Sequence, residues 1–267
     1  RLGDNLEVTT MLGMNGTGFA GTFEGNGKTL TFNYNGADDY VAPFRYVNGG
    51  TIQDLTISGT ITASGQYVGG IVGQSSGETT IEACNFVGKL LTTNMNGTIG
   101  GGFVAENNGT LTISKSIYAP ATLSEDETEP STEGSATFSC NNGEGTSNFS
   151  NSYYMRTLGT AQGKQGYTVT AETGITVALA EGITNGLTYD GTIYAGESDV
   201  VSLTISGGDT KEGYTFKGYK ANAETLTESE GKYSLTMPAA NVTISANFTE
   251  NVSYKDANGQ DATASDY

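Results

Sequence analysis

The sequence predicts an all-β protein, and three observations carry that expectation. Glycine supplies 39 of the 267 residues, roughly twice ordinary usage, while charged residues are only 15% and helix formers are few. Short runs alternate apolar and polar side chains, as in Thr29-Leu30-Thr31-Phe32-Asn33-Tyr34, which is the period of a half-buried strand. Such runs recur with glycine and asparagine between them, the mark of stacked repeats.

Four segments superpose, beginning at Pro43, Gly70, Gly102 and Thr137. Each reads as apolar strand, Gly/Asn turn, apolar strand. Phe44, Ile71, Phe103 and Phe138 are the expected equivalents in the first strand, spaced 27, 32 and 35 residues apart. In the second strand Ile52, Ile81, Ile113 and Phe149 form one apolar column and Ile57, Phe86, Tyr118 and Tyr154 another, with Leu55, Cys84, Ser116 and Ser152 between them. One such unit cannot bury its own apolar face, whereas units stacked at the strand spacing of about 4.8 Å share a continuous core. The expected fold of residues 1 to about 165 is therefore a right-handed parallel β-helix.

Gly27-Lys28-Thr29 has the ending of a phosphate-binding loop, but no glycine stands at the required position before it, and strand alternation follows where the motif needs a helix. "GTFEGNGKTL" from Gly21, followed by "GGIVGQSSGETTIEACNFVG" from Gly69, instead resembles the GLUG-motif repeats of bacterial surface proteins. The segment "NSYYMRTLGTAQGKQGY" from Asn151 resembles the way such arrays finish. On this reading Gly25-Asn26-Gly27 is a turn between strands, where Asn-Gly supplies positive φ.

From Gly166 the spacing changes. Tyr233–Met237 and Val242–Phe248 flank Pro238-Ala239-Ala240-Asn241 and read as a hairpin, because proline pre-sets the turn and both flanks alternate. "GYTFKGY" and "YSLTMPAANVTISANF" resemble the bacterial internalin-type B repeat, which implies a small β-grasp-like or sandwich-like domain over residues 166–250 that acts as a spacer or adhesive module. Residues 251–267 read as the start of a further module or a tail, and the chain as an excerpt of a longer exported protein. "KDANGQD" from Lys255 reads as an Asn-Gly hairpin turn, since its glycine comes too early for a calcium loop.

A net charge of −17, with only 12 basic residues, excludes nucleic acid as a partner, because counterion release needs Lys and Arg clusters. No apolar run reaches membrane-spanning length, so membrane insertion of this segment is not expected. Histidine is absent, which removes the commonest proton shuttle and metal ligand; no metal and no cofactor are expected. Cys84 and Cys140 fall in different columns and are expected as free thiols. Seven N-x-[ST] sequons, at Asn15, Asn96, Asn108, Asn148, Asn241, Asn247 and Asn251, include three Asn-Gly-Thr that turn chemistry explains. The acidic run Ser124–Glu133 reads as a loop extruded from the stack.

Parallel β-helices often host polysaccharide lyases and glycosidases, so a carbohydrate-active enzyme is the alternative function. It needs two carboxylates on one face. Asp38 and Asp39 are adjacent and would point to opposite faces if extended, while Glu24, Asp54, Glu82 and Glu106 share no column at neighbouring repeats; no catalytic residue is expected. The candidate ligand-binding residues are Tyr34, Asp38, Asp39, Tyr40 and Tyr46, where aromatic rings gather around an acidic loop. Together with the two resemblances, this implies a non-enzymatic, adhesin-like, monomeric protein of the bacterial cell surface, extracellular, whose partner is a host or matrix glycan or protein.

Overall fold

The computed structural model describes residues 1–94, 97–141, 144–182, 185–255 and 261–262. They contain strands, turns and bends and no helix, and the chain divides into two compact units, Arg1–Gly166 and Tyr167–Tyr267.

In the first unit each repeat runs through several short strands, which pair in parallel with their counterparts in neighbouring repeats. The second repeat shows the order: Tyr67–Gly69, Val72–Ser76, Glu78–Glu82, Asn85–Phe86 and Lys89–Thr92. Ile52 pairs with Ile81, Ile81 with Ile113, and Ile113 with Phe149. Ile57, Phe86, Tyr118 and Tyr154 form a second column in the same way. Leu55, Cys84, Ser116 and Ser152 are buried. The two serines satisfy themselves inside the core: Ser116 Oγ accepts from Cys84 N–H at 3.1 Å and donates to the Ser114 carbonyl, and Ser152 donates to the Ile113 and Ser150 carbonyls.

Between the two columns every repeat turns on one left-handed residue: Asp54 (φ 51°), Ala83 (51°), Lys115 (50°) and Asn151 (48°). A side chain in that conformation costs about 1–2 kcal/mol. The preceding repeat solves the same corner differently. Glu24 pairs with Gln53 and Lys28 with Leu55, so Gly25-Asn26-Gly27 stands opposite Asp54 alone. The three residues are a bulge inside the single strand Thr22–Phe32, where the sequence suggested a turn between two strands. A Cβ on Gly25 would lie 2.3 Å from the Asp54 carbonyl oxygen, so the bulge requires glycine there.

The first-strand column departs by one residue from the sequence alignment. Val72 pairs with both Phe44 and Val104, and Val104 with Ser139, which aligns Ile71 with Phe103 and Phe138 but leaves Phe44 one place out. Ile71 and Val72 are both fully buried, so side-chain type could not choose between the registers; the backbone hydrogen bonds do. Cys84 and Cys140 are free thiols, and burial pushes each up to about 12.

The acidic run is packed, against the expectation of an extruded loop. Lys89 donates to both Glu127 oxygens at 2.9 and 2.7 Å, Glu129 pairs with Arg156 at 2.6 Å, and the Thr128 carbonyl accepts from Thr92 N–H at 2.8 Å. Pro130 is buried, and Ser131–Ala136 then pairs with Ile99–Gly101. Two basic side chains from the stack offset the acids and hold the segment to it. At the last strand Gln162 Oε1 accepts from Phe138 and Ser139 N–H at 3.0 and 2.7 Å, and its Nε2 donates to the Ser139 carbonyl. One side chain thus satisfies edge groups that a further repeat would otherwise pair.

The second unit packs two sheets on one core. Ile175–Leu179, Val200–Gly207, Lys232–Thr236 and Glu228–Ser229 form an antiparallel sheet. Val242–Glu250 lies between Tyr214–Ala221, antiparallel, and Val169–Ala171, parallel, in the other. Val169, Ile193, Tyr219, Val201, Leu203, Leu235, Met237, Val242 and Ile244 meet between them. The expected hairpin is therefore corrected: Lys232–Thr236 and Val242–Glu250 pair with different strands, and Pro238–Asn241 carries the chain from one sheet to the other. Tyr254–Lys255 pairs with Asp261–Ala262; the "KDANGQD" turn and the sequon at Asn96 lie outside the described residues.

Ile81→Asp places an unpaired carboxylate in a fully buried column and is expected to cost several kcal/mol; near-wild-type chemical denaturation would refute the register. Deleting Glu125–Thr132 removes both ion pairs and buried Pro130, and is expected to lower stability by at least about 2 kcal/mol, read from the same unfolding curves.

Candidate functional site

The parallel ladders that align the core also align the outer face. Tyr46 pairs with Gln74, and Gln74 with Glu106, so these three side chains form one column. Val41 bridges to Val68, which sets Tyr40 beside Tyr67. Their rings stack within 7° of parallel at 4.9 Å, close to the spacing of about 4.8 Å between adjacent strands. Tyr40 also meets Tyr46 at 5.7 Å in a tilted arrangement. All three tyrosines are partly exposed.

A buried acid anchors this cluster. Glu106 is 5% exposed; its carboxylate accepts from Gln74 Nε2 at 2.5 Å and Asn108 Nδ2 at 3.0 Å, and its charge acts on the phenols of Tyr40 and Tyr67. Burial, with the Glu106 charge second, pushes the Tyr40 phenol up to about 12 and raises that of Tyr67. Tyr40 itself is left-handed at φ 56°, a rare state for a bulky residue that holds the ring over its neighbour.

The acidic loop beside the cluster is clamped. The Tyr34 hydroxyl donates to Asp38 Oδ2 at 2.6 Å, and Arg45 reaches Asp38 at 3.5 Å and the Asp39 carbonyl at 3.0 Å. Asp39 Oδ1 accepts from Gln66 N–H at 2.6 Å. The two carboxylates therefore serve the loop, from irregular backbone in place of an extended strand. Arg45 sits 5.6 Å from the centre of the Tyr46 ring.

Of the residues singled out in the sequence, Asp38, Asp39 and Tyr46 meet Arg45, Tyr40 joins through Tyr46, and Tyr34 joins through Asp38 and stacks on Phe32. Sequence reasoning missed Tyr67, Gln74 and Glu106. The repeat spacing held the signal, since Tyr46 and Gln74 occupy one ladder position, but the candidates were chosen by proximity in the chain. A polar depression of about 80 Å³ adjoins the cluster, lined by Asn15, Gly18, Tyr46, Asn48, Gln74 and Ser76. A second lies beside Tyr34 with Asn33, Asn35, Thr60 and Thr62, about 340 Å³. The apolar cavity of about 240 Å³ near Leu2, Leu6, Phe23 and Phe44 has Thr10 as the only polar side chain in its lining. No group of three or more His, Cys, Asp or Glu among the described residues could hold a metal ion.

Tyr40→Phe tests the cluster by pH. A wild-type minus variant absorbance titration is expected to show one phenol ionising near pH 12. Because the folded value is raised above the unfolded one of about 10, the stability contributed by the neutral ring is present below pH 10 and lost as pH climbs toward 12. A difference titration centred at 10 would refute the burial of this phenol beside Glu106.

The sequence model of the divergent InlB B-repeat domain matches residues 167–252, which form the two-sheet unit. No curated protein and no solved structure matches the chain. Residues 167–252 thus resemble a repeat domain of the InlB B type.

Proposed function

We propose that this chain is part of an adhesin-like protein of the bacterial cell surface, with no catalytic activity, in which a repeat rod presents or spaces binding modules. The B-repeat match over residues 167–252 carries this reading, because that family points to a surface-associated repeat protein. In the first unit, the parallel ladders between successive repeats support a right-handed parallel β-helix of GLUG-like repeats. Such a stack has a physical use at a cell surface. Each repeat contacts only its neighbours, so an outer face can be lengthened without redesigning a core. No helix among the described residues is long and apolar enough to cross a membrane.

The partner in this reading is a host or matrix glycan or protein, met by a monomer, without a cofactor. The tyrosine cluster supplies the binding face: Asp38 and Asp39 are held by the loop and Glu106 by the Gln74 and Asn108 amides, which suits a rigid recognition surface better than acid–base chemistry.

Displaying the chain on beads and washing them over an array of glycans and matrix proteins tests the reading. Retention on a subset of spots above bare beads is expected. Uniform absence of retention would overturn it, and depolymerisation of any arrayed polysaccharide would favour the enzyme class instead.

A further inference from the structure

The depression beside Tyr46 combines the two kinds of group that a sugar ring requires. Its aromatic wall can cover the apolar C–H face of a pyranose, and its amides can meet the hydroxyls around the ring edge. The side-chain amides of Asn15 and Asn48 make no hydrogen bond among the described residues, and Gln74 uses only one N–H, toward Glu106. A few placed polar groups beside an aromatic ring are what orients a ligand in a binding site.

We infer that the face built from Tyr40, Tyr46, Tyr67, Gln74 and the Asn15/Asn48 amides binds an extended, uncharged glycan chain. This inference rests on the adhesive reading above and names its ligand class.

Charge decides for an uncharged ligand. The chain carries −17, which repels anions over a Debye length of about 8 Å at physiological salt. The nearest cation, Arg45, already faces Asp38 and the Asp39 carbonyl. Buried Glu106 directs its charge at the Gln74 and Asn108 amides, so the groups left for a ligand are neutral hydroxyls, amides and rings. Glu106 is a positioning residue: it fixes the Gln74 amide, whose ladder neighbour is Tyr46.

Geometry decides for a chain over a single sugar. Tyr40 and Tyr67 repeat along the stack at 4.9 Å, and Tyr46 and Gln74 are paired neighbours in adjacent repeats. A step of about 4.8 Å per repeat is close to the advance of one sugar residue along an extended polysaccharide, so successive residues can meet successive repeats.

Tyrosine fluorescence of the full chain, which has no tryptophan to mask it, provides the test. The probes are β-1,4-linked oligomers of glucose and of N-acetylglucosamine, from monosaccharide to hexasaccharide, and a galacturonate oligomer of matched length. Affinity for at least one uncharged series is expected to climb with length and then level off, with the galacturonate at least about tenfold weaker, a difference of about 1.4 kcal/mol. Tyr46→Ala and Gln74→Ala are each expected to weaken binding about tenfold, whereas Tyr189→Ala, in the second unit, leaves it unchanged. Melting curves check each variant, and Gln74→Ala decides if Tyr46→Ala fails to fold. No response to either uncharged series, tighter binding of the galacturonate, or wild-type affinity in the folded variants would overturn the inference. Bead adhesion to matrix proteins without any response to the oligomers sinks this inference alone; oligomer binding without adhesion sinks the adhesive reading alone.

Discussion

The parallel backbone ladder between successive repeats is the constraint on which the first unit depends. A parallel ladder sets each residue beside its counterpart in the next repeat, with both side chains on the same side of the sheet. Whatever occupies a position must therefore tolerate its own kind as a neighbour. Inside, this gives the column Ile52, Ile81, Ile113 and Phe149. At the corners it gives Asp54, Ala83, Lys115 and Asn151, all left-handed within a few degrees of each other. A lone residue in that state would relax, but here a ladder strand on either side over-determines its backbone. The corner thus belongs to the stack and not to the residue type, which is why an acid, an alanine, a lysine and an asparagine all serve.

The same constraint makes tight inner corners demand glycine. A Cβ on Gly102 would lie 1.9 Å from the Thr137 carbonyl oxygen and 2.8 Å from the Tyr118 ring, and one on Gly70 would lie 2.2 Å from the Gly102 carbonyl oxygen and 2.7 Å from the Phe86 ring. Each glycine makes room for the next repeat's backbone and for its own aromatic column. The "GGIVG" pattern in the sequence is therefore the visible trace of a packing requirement between repeats. The second unit works differently: Val169, Tyr219 and Leu235 come from distant parts of the chain to one core, so no short period announces it.

This difference explains what the sequence revealed. The two apolar columns of the second strand were legible because each position is buried or packed against the core, and because their spacing from one repeat to the next follows the ladder. The position of Phe44 was not, since Ile71 and Val72 are equally buried and only main-chain hydrogen bonds separate the registers. The acidic run misled because its composition suits a solvated loop, while its placement depends on Lys89 and Arg156, remote in sequence. The Pro238–Asn241 turn looked like a hairpin because alternation on two flanks shows that both are strands but not that they pair. At the site, Tyr40 and Tyr46 were legible as aromatics near an acidic loop. Gln74 and Glu106 became part of it only through a ladder that joins residues about a repeat apart.

Charge then links the scaffold to what its surface can meet. In the first unit Arg45, Lys89, Lys115 and Arg156 each pair with a carboxylate, at 3.5, 2.7, 2.7 and 2.6 Å. Such partly exposed pairs contribute at most about 1 kcal/mol each, so their larger effect is on availability: basic groups engaged in this way are not free to neutralise an anion. An acidic protein repels polyanions at long range, and these four paired cations offer them little at short range. What remains on the outer face of the ladder is a row of phenols and amides, groups whose hydrogen bonds do not weaken with salt as ion pairs do. Contacts of that kind hold over a wide range of ionic strength, and they can be repeated along the stack without accumulating repulsion between neighbours.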